Sequence, residues 1–157
     1  MNSLAYRRRL LGAASVAVAI VFLDRVTKIW AEERLPGDPI TVINGLLSFE
    51  FAENTGASFG MLRGAGPFLG LAAMVAVVVV ALALKSVVRR FEVVALGLIA
   101  GGAVGNLVDR FIRGEGLLDG SVVDWIRLPN FPNFNVADSA ITIGAVVLVA
   151  VALFSRE

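Results

Sequence analysis

The chain alternates between long apolar runs and shorter polar segments, and this pattern predicts four membrane-spanning helices. The apolar runs are Leu10 to Leu23, Pro67 to Leu84, Val93 to Val108 and a fourth from about Val136 to Phe154. Crossing the hydrocarbon core of a bilayer takes roughly 20 helical residues. The first and third runs are shorter than this and must use polar neighbours to complete their crossing. The predicted helices therefore cover about residues 10–30, 67–84, 91–109 and 136–154.

A different pattern lies between the first two predicted helices. In the stretch "ITVINGLLSFEF", apolar residues flank Asn44 and Gly45, a pair typical of a two-residue β-hairpin turn. After the turn, Leu47, Phe49 and Phe51 alternate with less apolar residues. We predict a small antiparallel β-sheet over about residues 39–60, with an apolar face resting on the membrane surface or on the helix ends. The predicted fold class is an all-α integral membrane protein with this sheet on its outer, extracytoplasmic side.

Composition supports a membrane protein and removes several classes of chemistry. Of the 157 residues, 57% are hydrophobic and the mean hydropathy is +0.81, whereas soluble domains are roughly 45–50% apolar. The length fits a single domain, residues 1–157. No broad basic patch with interleaved aromatic residues is present, so nucleic acid is not an expected partner. With no Cys and no His, thiol enzymes, Ser-His triads and the common zinc sites are excluded, and we expect neither a metal nor a cofactor.

The positions of Lys and Arg predict the orientation in the membrane. Basic residues precede the first helix, fill the link between the second and third, and follow the fourth: Arg7, Arg8, Arg9, Lys85, Arg89, Arg90 and Arg156. These positions share one face if there are four crossings, and the positive-inside rule makes that face cytoplasmic, with both termini. A cleaved secretory signal peptide is disfavoured because no small-residue cleavage site follows the first apolar run. The expected location is a bacterial inner membrane.

Ionisable residues that lie within membrane-spanning segments are candidates for function, because each costs free energy. Asp24 and Lys28 are four residues apart on one helix face. They form either an interfacial ion pair or a structural pair inside an active site. Asp109 near the end of the third helix is disfavoured by the helix dipole, so we predict a partner for it, either Arg110 or Lys28. In the same helix Gly97, with Gly101, Gly102 and Gly105, predicts close approach of another helix.

Asp124 and Asp138 are the candidate catalytic pair. Asn135 and Asp138 resemble a helix capping box, so Asp138 alone is explained equally well by capping and by catalysis. Asp124 stands between apolar residues in "VVDW", and the connection "IRLPNFPNF" is short enough to bring the two carboxyl groups together. Two close carboxyl groups in a dry site do not both ionise easily. One then acts as general base and the other as general acid, which allows peptide hydrolysis without metal, Cys or His.

Five stretches in order resemble the bacterial lipoprotein signal peptidases, signal peptidase II. They are "DRVTK" from Asp24, "ENTGASFG" from Glu53, "GGAVGNLVDR" from Gly101, "VVDW" from Val122 and "FNVADSAITIG" from Phe134. The resemblance implies a four-helix aspartic endopeptidase of the inner membrane. It implies that the substrate is a prolipoprotein carrying diacylglycerol, cut just before the lipidated cysteine, and that globomycin inhibits the enzyme. Membrane lipid is the other expected partner, and a monomer is expected.

The resemblance also implies roles for individual residues. Asp124 and Asp138 match the catalytic aspartates of the family. The supporting and substrate-binding positions match Asp24, Lys28, Asn54, Gly105, Asn106, Asp109, Arg110, Asn135 and Ala137. Asn54 then presents an amide from the outer sheet, although a plain Asn-Thr-Gly turn explains it as well. The chain departs from the family pattern at Trp125, where Phe is more usual, and in a longer "FIRGEGLLDGS" segment.

Two other functions remain open from the sequence. A Ser-Lys protease would use Lys28 with Ser58, but Asp24 nearby opposes the lowered pKa that a lysine base needs. A proton or ion carrier would use Asp24, Asp109 and Asp138 as a relay. The charges of that relay gather at one membrane level instead of spanning the bilayer.

Overall fold

The computed structural model describes residues 3–56, 65–87 and 89–154, and it contains four long helices and a small sheet. In chain order the elements are α1 (Ser3–Arg34), β1 (Ile40–Ile43), β2 (Leu47–Asn54), α2 (Gly66–Ala83), α3 (Arg90–Ile112), β3 (Val122–Arg127) and α4 (Val136–Phe154). All four helices are long and apolar enough to cross a membrane. The predicted fold class is confirmed, although α1 extends well beyond the predicted range at both ends. Ser58, Arg63 and Arg156 lie outside the described residues.

α3 is the central helix of the bundle, and its glycines allow the other helices to approach it closely. A Cβ at Gly97 would lie 2.8 Å from the carbonyl oxygen of Ala13, and one at Gly101 would lie 2.8 Å from Ile20, both on α1. A Cβ at Gly102 would collide with the backbone of Ala137 on α4. The glycines therefore serve two interfaces, because those on one side of α3 pack against α1 and Gly102 packs against α4.

The sheet has three antiparallel strands in the order β1-β2-β3. Ile43 pairs with Leu47, so three residues separate the paired positions, and the expected two-residue loop is wrong in length. The turn is closed by the N–H of Leu46, which donates to the carbonyl of Ile43 over 3.0 Å. Gly45 has a φ of 71°, which is the conformation that glycine adopts without steric cost.

β3 was not predicted as a strand, and its pairing places Asp124 beside the hairpin. In the register of β2 and β3, Ala52 pairs with Asp124 and Asn54 pairs with Val122. The burial of β3 explains why the strand lacks an alternating signal, since all four residues from Val122 to Trp125 are buried. A strand buried on both faces reads as a short apolar run, which periodicity alone does not distinguish from a helix segment.

The apolar face of the sheet rests on the last turns of α1. Trp30, Phe49 and Trp125 contact one another edge to face, with ring centroids 5.0–5.9 Å apart. Ala31 and Leu35 of α1 are buried in the same cluster. The apolar face was predicted to rest either on the membrane surface or on the helix ends, and the structure shows it resting on the end of α1. The extra length of α1 provides this platform beyond its apolar run.

The long segment between α3 and β3 packs against α2. Leu118 in this segment is buried and adopts a φ of 64°, which is unusual for a residue with a branched side chain. A Cβ at Gly70 of α2 would lie 2.9 Å from the Cβ of Leu118. The segment therefore anchors the start of α2, at the end of the bundle where the sheet and the carboxylates lie.

Candidate active site

Asp138 and Asn135 form a reciprocal capping box at the start of α4. The backbone N–H of Asp138 donates to Oδ1 of Asn135 over 2.9 Å, and the backbone N–H of Asn135 donates to Oδ2 of Asp138 over 3.2 Å. This arrangement satisfies two backbone donors that a helix N-terminus leaves without partners. It also fixes the orientation of the Asp138 carboxylate and leaves its Oδ1 for another donor.

Asp124 projects from β3 and accepts hydrogen bonds from two asparagine side chains. Nδ2 of Asn135 donates to its Oδ1 over 2.7 Å, and Nδ2 of Asn54 donates to its Oδ2 over 3.0 Å. Only 2% of Asp124 is exposed. Asn135 thus contacts both candidate catalytic residues, Asp124 through its side chain and Asp138 through its backbone. Within the described residues no direct hydrogen bond joins the two carboxyl groups.

The amide orientations of three asparagines are fixed by groups that can only donate. The N–H of Gly56 donates to Oδ1 of Asn54 over 3.1 Å, and the N–H of Asp138 fixes Asn135 in the same way. Nζ of Lys28 donates to Oδ1 of Asn106 over 3.0 Å, so Nδ2 of Asn106 faces Oδ1 of Asp138 at 2.8 Å. Each asparagine must therefore present its NH₂ group to a carboxylate. Asn54 both makes the local turn and reaches Asp124, so the two interpretations of its sequence are compatible.

Lys28 is completely buried and uses all three of its donors. Its Nζ lies 2.7 Å from Oδ2 of Asp24, 2.9 Å from Oδ2 of Asp109 and 3.0 Å from Oδ1 of Asn106. An interfacial ion pair is therefore the wrong description of Asp24 and Lys28, because both are buried inside the protein. A buried charge is tolerated when it is paired and hydrogen-bonded. The chain of contacts runs from Lys28 through Asn106 to Asp138.

Asp24 connects the first helix to the last. Its Oδ1 accepts the backbone N–H of Ala137 over 2.9 Å, which is another donor of the α4 N-terminus. Ala137 itself has no exposed surface. A Cβ at Gly105 would lie 2.8 Å from Oδ2 of Asp24 and 3.3 Å from the Cβ of Ala137. Gly105 therefore leaves room for the carboxylate to pass between α3 and α4.

Asp109 has partners that the sequence did not indicate. Besides Lys28, its carboxylate contacts Nη1 of Arg25 and Nε of Arg113, each at 3.3 Å. It also accepts the N–H of Val123 over 3.2 Å, which ties α3 to β3. The expected pairing with Lys28 is observed, but Arg110 is wrong as a partner. Adjacent residues point in different directions on a helix, whereas Arg113, four residues after Asp109, shares its face.

Arg110 points towards the candidate site and the loop between α3 and β3. Its Nη1 donates to the carbonyl of Gly120 over 3.3 Å. It also lines a cavity of about 390 Å³ together with Asn54, Asn106, Asp124 and Asp138. The remaining wall is formed largely by small and apolar residues of α2 and α3, namely Leu69, Ala72, Ala73, Ala76, Ile99, Ala103 and Leu107.

A second cavity also reaches Asp138, although Asp124 does not line it. Its volume is about 580 Å³, and Asn54 and Asp138 line both cavities. Phe131, Phe134 and Ile143 give this second space an apolar wall. Asp138 and Asn54 therefore lie between two spaces that can each accept a hydrophobic group.

The environment of Asp124 favours its protonated form. Burial raises the pKa of its carboxyl group to about 7, and the nearby charge of Asp138 adds to this rise, while the amides of Asn54 and Asn135 oppose it. Desolvation and a neighbouring like charge both disfavour ionisation. Near neutral pH the pair can therefore provide a protonated carboxyl group beside a charged one.

The chain's sequence matches the family model described as Signal peptidase (SPase) II over residues 16–154. This match covers α1 from residue 16 onward, the other three helices in full and all three strands. The chain belongs to the signal peptidase II family. It is therefore a multi-pass membrane protein of a family of bacterial peptidases.

Relatives and solved structures agree with this assignment. The chain is 42% identical over 152 residues to the lipoprotein signal peptidase of Mycolicibacterium smegmatis, with 96% of this chain and 65% of the relative covered. It is 41% identical over 157 residues to the lipoprotein signal peptidase of Mycobacterium tuberculosis strain H37Rv, with 99% of this chain and 78% of the relative covered. The chain thus spans about two thirds to four fifths of the length of these relatives.

Two structures described as bacterial membrane enzymes solved by the in meso method share the fold. The one at 2.3 Å resolution has a TM-score of 0.79 at 29% identity and covers 92% of this chain and 91% of its own. The one at 1.9 Å resolution has a TM-score of 0.77 at 31% identity, with 92% and 94% covered.

Proposed function

We propose that this chain is an aspartic endopeptidase that removes signal peptides from lipoprotein precursors, with Asp124 and Asp138 as its catalytic pair. The observation that supports this most directly is that the two carboxyl groups line one cavity and are connected through Asn135. Membership of the signal peptidase II family supports the peptidase activity, and its relatives are named lipoprotein signal peptidases.

In the first step, a water molecule between the carboxyl groups attacks the carbonyl carbon of the scissile peptide bond. Ionised Asp138 accepts a proton from the water, and protonated Asp124 donates its proton to the carbonyl oxygen, which gives a neutral tetrahedral intermediate. The raised pKa of Asp124 supports its role as the acid. The capping box and the amide of Asn106 stabilise the ionised form of Asp138.

In the second step, the intermediate collapses and the C–N bond breaks. The leaving nitrogen takes the proton held by Asp138, and one hydroxyl of the intermediate returns its proton to Asp124. Both carboxyl groups regain their starting state, so no metal or cofactor is consumed or needed. The three asparagine amides keep the pair in position throughout, since Lys28 orients Asn106 and backbone N–H groups orient Asn54 and Asn135.

The cavities are consistent with a substrate that is apolar on both sides of the cut. Alanines form much of the wall of the space against α2, which suits an extended segment with small side chains. The space lined by Phe131, Phe134 and Ile143 suits an acyl chain. We assign the lipidated cysteine side of a diacylglyceryl-modified precursor to this second space.

The proposed orientation places the sheet and the carboxylates on the outer face of a bacterial inner membrane. The opposite face is where α1 begins and α2 ends, and there Arg7, Arg8, Arg9 and Lys85 are found. By the positive-inside rule this face is cytoplasmic. A monomer is sufficient, because the chain itself supplies both carboxylates and their hydrogen-bond donors.

The geometry disfavours the two alternative functions. Lys28 cannot act as a free base, since its three donors are all engaged and it has no exposed surface. For an Asp relay, Asp24 and Asp109 are both held by that same Lys28, so they offer no path across the bilayer. Proton flux in sealed liposomes that depends on Asp138 would favour the carrier instead.

The catalytic pair is tested with purified protein and a synthetic diacylglyceryl precursor, followed by a gel shift. Asp124→Asn and Asp138→Asn should each lower the cleavage rate by at least about 10³-fold, as expected for a general acid or base in a paired site. Asp38→Asn, which changes an exposed aspartate, is the matched control and should cleave normally. Thermal unfolding confirms that each variant is folded. Retention of more than about a tenth of the wild-type rate in either Asp variant contradicts the assignment.

A further inference from the structure

A separate cavity lies between α1 and α3, at the end of the bundle away from the carboxylates. Its volume is about 350 Å³. Three arginines and three small or apolar residues line it: Arg8, Arg9, Gly12, Arg90, Val93 and Val94. The arginines come from both helices, so the cavity depends on how α1 and α3 pack and not on one basic segment alone.

The depth of this cavity matches a membrane surface. Arg90 and Asn106 both belong to α3, and the 16 steps between them correspond to about 24 Å at 1.5 Å per residue. The hydrocarbon core of a bilayer is about 30 Å thick. With the carboxylates near one face of the membrane, the backbone of Arg90 therefore lies close to the other face, from where its long side chain can reach the headgroups.

The cavity is positively charged, and among the residues that the structure describes no acidic one lines it. Within residues 3–56, 65–87 and 89–154, none of Arg8, Arg9 and Arg90 forms an ion pair with a carboxylate. Arg9 makes only a long contact of 3.5 Å with the carbonyl of Lys85. The acidic residue nearest in sequence, Glu92, accepts the backbone N–H of Arg89 and does not line the cavity. The guanidinium groups thus remain available to an external anion.

One wall of the cavity is apolar and is formed by Gly12, Val93 and Val94. A Cβ at Gly12 would lie 3.4 Å from Cγ1 of Val93, so the absence of a side chain at Gly12 leaves a shallow slot along α3. Val94 is exposed beside it. An anion that carries a hydrocarbon chain can therefore place its charge among the arginines and its chain along this slot.

We propose that this cavity is a binding site for the headgroup of an anionic glycerophospholipid. Guanidinium groups bind phosphate oxygens in a planar, bidentate geometry, and basic pockets between membrane helices are known to hold anionic lipid headgroups. The phosphodiester lies between Arg8, Arg9 and Arg90, and an acyl chain packs on Val93 and Val94. This site is separate from the carboxylate pair, and it does not depend on the proposed peptidase mechanism.

The test measures lipid binding to the purified protein in detergent by native mass spectrometry. Wild-type protein should bind one phosphatidylglycerol tightly and bind phosphatidylcholine at least about tenfold more weakly. Arg8→Gln/Arg90→Gln should weaken phosphatidylglycerol binding about tenfold or more, since each basic residue near an anionic headgroup contributes a factor of roughly five. Arg8→Lys/Arg90→Lys keeps the charge but loses the bidentate geometry, so it should recover only part of the affinity.

A matched control separates a built site from general positive charge. Arg7→Gln/Lys85→Gln removes two charges from the same end of the bundle, at residues that do not line the cavity. It should change the affinity less than twofold. Arg9→Gln, a single change, repeats the measurement if the double variant does not fold. An equal loss in the control, equal binding of phosphatidylcholine, or full competition by millimolar inorganic phosphate would each overturn the lipid site.

Discussion

Nδ2 of Asn106 donates to Oδ1 of Asp138 over 2.8 Å, while Lys28, buried on another helix, fixes which end of the Asn106 amide faces that carboxylate. The candidate base is thus oriented by a charge that never contacts it. Asn106 therefore connects the buried ion network around Lys28 with the proposed catalytic pair. Mutations of Asn106 and of Lys28 can test the catalytic pair and the ion network separately.

Asn106→Ala should lower kcat/KM by about 10- to 100-fold. The change removes a hydrogen bond to a charged group, which contributes about 1.5–3 kcal/mol, and it leaves Lys28 without its third acceptor. Cleavage of a lipidated precursor measures the effect. Asn44→Ala, in the exposed hairpin turn, is the control and should cleave at the wild-type rate. Equal losses in both variants would show that Asn106 acts only through general stability.

Lys28→Met should strongly destabilise the protein. It leaves Asp24 and Asp109 buried without their shared cation, and breaking a buried charge pair costs about 3–5 kcal/mol. Thermal unfolding in detergent measures the loss. Adding Asp24→Asn should recover part of it, because one of the uncompensated carboxylates is then neutral. Lys85→Met, which changes an exposed lysine, should have little effect, and similar unfolding midpoints for Lys28→Met and Lys85→Met would contradict the network.

Gly105→Ala should reduce both stability and activity. The new Cβ would lie 2.8 Å from Oδ2 of Asp24, and relieving such overpacking costs about 1–3 kcal/mol. Gly12→Ala is the matched change, because its Cβ would make an ordinary contact of 3.4 Å with Val93. That variant should be neutral or slightly stabilising, since alanine is the better helix former. Unfolding midpoints that rank the two variants in the opposite order would contradict the close approach of α3 to Asp24.

The cleavage rate should fall as the pH rises through about 7. The pKa of Asp124 is raised to about 7 by burial and by Asp138, so the acid form is lost above that pH. The free energy of unfolding should also fall as the pH rises, because the pKa of Asp124 in the folded protein exceeds the unfolded value of 3.8. The stabilisation that protonated Asp124 contributes is fully present below about pH 4 and is lost as the pH rises to about 7.

Removing a hydrogen-bond donor to Asp124 tests whether Asp124 causes the loss of activity at high pH. Asn54 donates to Oδ2 of Asp124 and favours the charged form, so Asn54→Ala should move the alkaline limb of the pH–rate profile to higher pH. The maximal rate should also fall. An alkaline limb that stays in place would assign that limb to another group.

The sequence was sufficient to predict the four helices and to draw attention to Asp124 and Asp138, since both depend on local pattern. Apolar runs of the right length indicate membrane spans wherever they occur. Asp124 and Asp138 were noticeable because each is a charged residue beside apolar neighbours. Their roles in catalysis remain a proposal.

The partners of these groups were harder to predict, because they depend on tertiary packing. Arg25 and Arg113 contact Asp109, but neither stood out among the other basic residues of the chain. Arg113 also pairs with Glu32 of α1, a contact between residues 81 positions apart. β3 was missed for a related reason, as a strand buried on both faces has no alternating pattern.

The hydrogen bond from Ala137 to Asp24 joins residues 113 positions apart, and it has a consequence for the order of synthesis. The ribosome completes α1, the hairpin and α3 before it reaches Asn135 and Asp138. Until the last span is inserted, Asp24 lacks its backbone donor, Asp124 lacks Asn135, and Asp138 is absent. In the proposed mechanism, a partly translated chain therefore lacks one carboxylate of the catalytic pair, and the site is complete only once the last helix has been made.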